Sequence, residues 1–72
     1  MPTEAITVMA MARSNFGYLS EARDEIQLLA LKSSSTSFNQ ALQISGMITH
    51  DELTCLTEEL ETVCLAWYSL RI

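Results

Sequence analysis

The sequence predicts an all-α protein: an antiparallel helical hairpin of two long helices, about 4–32 and 50–70, with a short helix, about 38–45, between them. Three observations predict it. Apolar residues recur at spacings of three and four along the C-terminal part of the chain. The single proline stands at position 2. No stretch of useful length alternates apolar and polar residues as a half-buried strand does. The 72 residues make one domain, 1–72, read as a small helical bundle.

The C-terminal helix carries the clearest signals. Thr49 and Glu52 have the spacing of a capping box, and Ile48 and Leu53 that of the hydrophobic staple around it. Asp51 and Glu52 place negative charge at the positive end of the helix dipole, and Arg71 places positive charge at the other end. Leu53, Leu56, Leu60, Val63, Trp67 and Leu70 then follow at spacings of 3, 4, 3, 4 and 3, a heptad seam. These six residues are the expected packing positions between helices or chains.

The preceding turn is apolar for a reason. Gly46 suits the left-handed residue just past a helix, and Met47 and Leu42 then have the spacing of the contact that accompanies a Schellman stop. Met47 closes one helix and Ile48 opens the next. Ser37 and Gln40 have capping-box spacing, so the closing helix is expected over about 38–45. The serine-rich run 32–37 reads as a loop, because hydroxyl side chains compete for backbone hydrogen bonds.

In the N-terminal half, Thr3 is the expected cap. One stripe joins Ala5, Val8, Met9, Ala12, Phe16, Leu19, Ala22, Ile26 and Leu29. It keeps its phase through Gly17, which predicts one helix over about 4–32 with a soft point near 15–20. Trp67 and Tyr68 are then expected near the Ala5–Met11 end.

Composition bounds the function. Hydrophobic residues make up 49% of the chain and charged residues 18%, against about 25% charged in an ordinary domain. A chain this short buries only about 60% of its unfolded surface. The excess apolar surface therefore points to association with another chain, a homodimer first. The net charge is −5, and Arg13, Arg23, Lys32 and Arg71 are scattered. Nucleic-acid phosphate and anionic membranes both call for clustered cations, so neither is an expected partner. Compositionally the chain is similar to many short open reading frames of bacteria and their phages, a likeness that carries no functional residue.

No motif specifies a reaction, and no enzyme, cofactor or metal is expected. His50 stands beside Asp51 in the first turn of a helix, where neighbours do not face each other. Cys55 and Cys64 fall on opposite faces of one helix, about 13.5 Å apart along its axis, too far to bridge. Free thiols suit a reducing cytoplasm. The segment AITVMAMA follows an acidic Met1-Pro2-Thr3-Glu4 and is not read as a signal peptide. No stretch approaches the ~20 apolar residues of a membrane span.

The expected function is a small protein–protein interaction module (regulator, inhibitor or adaptor) acting through an apolar helical face as a homodimer. Leu65 and Tyr68 lie off the seam and are candidates for a second contact surface. Glu58, Glu59 and Glu61, with Asp51 and Glu52, form an acidic patch, which supports an alternative: an acidic inhibitor that mimics nucleic acid. A second alternative is a regulator of helix-turn-helix type around Gly46. It meets two carboxylates, Asp51 and Glu52, where phosphate contacts are required.

Overall fold

The structure, a computed structural model, describes residues 2–71, with side chains described from Ile6 to Arg71. Its elements are α1 (Pro2–Gly17), a 3-10 turn (Tyr18–Glu21), α2 (Glu25–Ile44) and α3 (His50–Leu70). All regular structure among the described residues is thus helical, with three helices rather than two long ones and a short one. The expected cap Thr3 and the stripe residue Ala5 have side chains outside the described set.

The bounds of α3 agree with the local signals. The Thr49 hydroxyl accepts the Glu52 backbone N–H at 3.1 Å, and the Glu52 carboxylate accepts that of Thr49 at 2.8 Å. Ile48, before the cap, is buried. At the preceding turn Gly46 has φ 81°. The Met47 N–H donates to Leu42 O at 2.9 Å and the Gly46 N–H to Gln43 O at 3.1 Å. These are the two bonds of the Schellman stop. A side chain at residue 46 would meet no atom, so glycine is favoured there by backbone conformation alone.

The single helix expected over 4–32 does not form. The chain leaves α1 at Gly17, tightens into the 3-10 turn, and becomes extended at Ala22 (φ −60°, ψ 134°) and Asp24 (φ −149°, ψ 173°). Three polar side chains hold this break. The Ser20 hydroxyl donates to Gly17 O at 2.7 Å. The Asp24 carboxylate accepts the Gln27 N–H at 2.8 Å, and the Gln27 side-chain oxygen accepts the Arg23 N–H at 2.8 Å. Asp24 is the cap of α2, a contribution of about 1 kcal/mol.

The serine-rich segment is not a loop, and the helix expected over 38–45 is not separate. Both belong to α2, which runs unbroken from Glu25 to Ile44. Its inner face holds Leu28, Leu31, Ser35, Phe38, Asn39 and Leu42, all buried or half-buried. This face keeps a heptad rhythm through the hydroxyl run. Burial of that face outweighs the weak helix propensity of the serines.

Directions follow from the cross-links. Lys32 pairs with Glu61, and the Tyr68 hydroxyl donates to Glu25, so α2 and α3 run oppositely. Arg13 pairs with Glu59, while Phe16 and Ser20 share a groove with Thr62 and Val63, so α1 runs parallel to α3. Each helix packs on the other two, giving a rod 42 Å long and 16 Å across. The stripe expected on one helix divides at the bend. Ala12, Phe16, Leu19 and Ala22 are buried, but Ile26 is 82% exposed and Leu29 49% exposed, because the chain has reversed and Leu28 now faces inward.

Asn39 is 1% exposed, and neither atom of its side-chain amide has a hydrogen-bond partner. A buried polar group left so costs about 1–3 kcal/mol. Asn39→Leu keeps the size and removes that cost, so we expect the variant to be more stable by about 1 kcal/mol or more. Urea unfolding checks it. An equal or lower midpoint would show that the amide is satisfied.

Candidate interaction surface

The seam on α3 is largely taken up inside the bundle. Leu56, Leu60 and Trp67 are buried, Leu53 and Val63 half-buried, and Leu70 is 81% exposed. Cys64, which lies off the seam, is buried with them. With three helices, α3 faces α1 on one side and α2 on the other, so its buried face is wider than a two-helix seam.

Trp67 and Tyr68 lie at the α1–α2 bend, not near residues 5–11. The expected position assumed that α3 runs back along helix 1, whereas α2 is its antiparallel neighbour. The Trp67 indole N–H donates to Ala22 O at 2.9 Å, and the Arg71 guanidinium donates to the same oxygen at 2.7 Å. That guanidinium also lies 4.4 Å from the centre of the Trp67 ring, within the range of a cation–π contact. The Tyr68 ring meets Trp67 edge-on at 5.2 Å, and its hydroxyl donates to Glu25 at 2.7 Å. Tyr68 is 37% exposed and Leu65 65% exposed.

The acidic patch is partly neutralised. Arg13 Nε donates to both carboxylate oxygens of Glu59, at 3.2 and 3.0 Å. Lys32 lies 2.7 Å from Glu61. Glu52 is engaged in the capping box, which leaves Asp51 and Glu58 as the exposed, unpaired carboxylates of the patch. Both ion pairs are solvent-exposed, and such pairs contribute about 0–1 kcal/mol. Their effect is on surface charge more than on stability.

His50 is exposed at the start of α3. Both cysteines are free thiols, Cys55 exposed and Cys64 buried. Among the described residues no group of three or more His, Cys, Asp or Glu is placed to hold a metal ion. No helix among them is long and apolar enough to cross a membrane. No known family model, curated protein or solved structure matches the chain.

Sequence reasoning missed the exposed side of α2. Ile26 and Ile44 are each 82% exposed, and Leu29 is exposed as well. The signal was present in the charges: between Glu25 and Ile44 only those at positions 25 and 32 are charged. Reading the serine run as a loop hid the continuous face.

Three proton-bearing groups are shifted in one direction. The bond to Glu61 raises the Lys32 amine above its ordinary value, burial raises the Cys64 thiol, and the bond to Glu25 raises the Tyr68 hydroxyl. The folded chain thus keeps protons that the unfolded chain releases. Their stabilisation is complete below the unfolded values and is lost as pH rises through the folded ones. Melting temperature should fall from about pH 9 upward, and Tyr68→Phe should flatten the upper part of that slope. A melting temperature that is level or rising to pH 11 would contradict these shifts.

Proposed function

We propose that the chain is a non-enzymatic helical interaction module that binds protein chains, its own copy included, through apolar side chains left outside the bundle. The observation that carries this reading is the balance of apolar residues. The described core holds eight large apolar side chains: Phe16, Leu19, Leu28, Leu42, Ile48, Leu56, Leu60 and Trp67. Ten others remain exposed, among them Ile26, Ile44, Leu65 and Leu70. Val8, Met9, Leu31, Phe38, Leu53 and Val63 pack half-buried against the core, yet a monomer of this size with ten large apolar side chains in water gains from covering that surface. Regulator, inhibitor and adaptor roles all use such a surface. The two free thiols fit a reducing compartment such as the cytoplasm.

The acidic-mimic reading draws less support, because Glu59 and Glu61 are paired with cations of the same chain. The helix-turn-helix reading still meets Asp51 and Glu52 in the first turn of α3.

Light scattering across protein concentration, with and without reductant, tests the proposal. The expected result is a mass that rises above the 8.0 kDa of one chain and does not depend on reductant. A mass fixed at one chain at all concentrations would remove self-association from the reading.

A further inference from the structure

The two isoleucines at the ends of α2 are the most exposed large apolar residues in the described chain, each 82% open to solvent. They are eighteen residues apart, about five helical turns, and so project from the same face about 27 Å apart. Between them the same face carries Ala30, Ser33, Ser37 and Gln40, all exposed, with Leu29 and Ala41 along its edges. None of these is charged. The two charges of α2 are turned to α3 instead, Glu25 to the Tyr68 hydroxyl and Lys32 to Glu61.

We infer that this face of α2 is a homodimer interface, on which α2 of a second copy packs antiparallel about a two-fold axis level with residue 35. The inference rests on the interaction-module reading and names its surface and its partner. Two observations select a second copy over an unrelated protein.

The first is symmetry. A two-fold interface brings residue i against j and j against i, so its surface must complement itself. Reflection about residue 35 sends Ile26 to Ile44, Ala30 to Gln40, Leu29 to Ala41, and Ser33 to Ser37. An isoleucine then meets an isoleucine at each end, and hydroxyls meet hydroxyls at the middle. An unrelated partner would not require this match.

The second is charge. Each copy carries −5, so two copies repel unless they meet where carboxylates are absent. The α2 face is uncharged for its whole length, whereas α3 presents Asp51 and Glu58 to solvent. The small residues at its middle let the two helices approach closely. One helix pair is a small interface by the standard of stable complexes, so the dimer belongs to the micromolar range. Added salt strengthens it by screening the net repulsion.

The test uses the full chain. Ile26→Glu and Ile44→Glu alter side chains that are in water in the single chain, so circular dichroism, and melting at concentrations below dimerisation, should match the parent. Each is expected to weaken dimerisation by about tenfold or more in sedimentation or light scattering. Leu65→Glu, exposed on α3, is expected to leave it unchanged. In a Cys55→Ser background, chains carrying both Ile26→Cys and Ile44→Cys should form disulfide-linked dimers on mild oxidation, while chains with Ile26→Cys alone should not.

Several outcomes overturn the inference. A parent dimer that persists in both glutamate variants, or that Leu65→Glu dissociates, places the contact elsewhere and leaves the module reading intact. Efficient cross-linking through Ile26→Cys alone makes the helices parallel and removes the two-fold proposed. A parent that is monomeric at all concentrations removes the inference and the self-binding part of the reading together.

Discussion

The carbonyl of Ala22 is the point on which the fold turns. The chain reverses between α1 and α2, and reversal takes backbone groups out of the helical ladder. At Ala22 the residue itself is buried, so water is not the natural partner for its oxygen. Trp67 and Arg71 supply two donors from the far end of the chain, at 2.9 and 2.7 Å. A neutral bond of this kind contributes about 1 kcal/mol and a charged one about 1.5–3 kcal/mol. The same contact fixes where α3 ends, which side of α2 it covers, and how α1 lies alongside. The bend and the last turn of α3 therefore stand or fall together.

What the sequence made legible was local. The Thr49–Glu52 box and the Gly46 stop each act within six residues, and the bounds of α3 follow from them. The break at 18–24 was harder to read. Its apolar stripe stays in phase through Ala22, and the cap that ends it, Asp24 with Gln27, is a weaker pattern than the Thr49–Glu52 box. The serine run misled in the opposite direction. Five consecutive hydroxyl residues favour a loop by propensity, but Ser35 sits in register with Leu28, Leu31 and Leu42, and packing decides. Asn39, buried in that same face without a partner, shows that α2 holds its place despite polar residues in its core.

The candidate surface was legible in kind but not in place. The apolar excess pointed to association, and the structure shows which apolar residues the bundle leaves out. Much of the α3 seam went to internal packing once α1 and α2 both covered it. The exposed remainder is spread over all three helices, and its part on α2 could be recognised only after the serine run was known to be helical. Charge reinforces this division. The ion pairs at Arg13–Glu59 and Lys32–Glu61 draw cations toward α3 and leave the outer side of α2 neutral.

The Trp67 indole N–H gives the most direct reading of this architecture by nuclear magnetic resonance. The account predicts that this proton exchanges slowly with solvent and shows nuclear Overhauser contacts to residues 22 and 23. The amide-to-amide contacts of continuous helix should also be interrupted between residues 21 and 25. An indole proton exchanging as in a free tryptophan, together with unbroken helical contacts from residue 4 to residue 32, would contradict the bend, the latch on Ala22 and the three-helix arrangement built upon them.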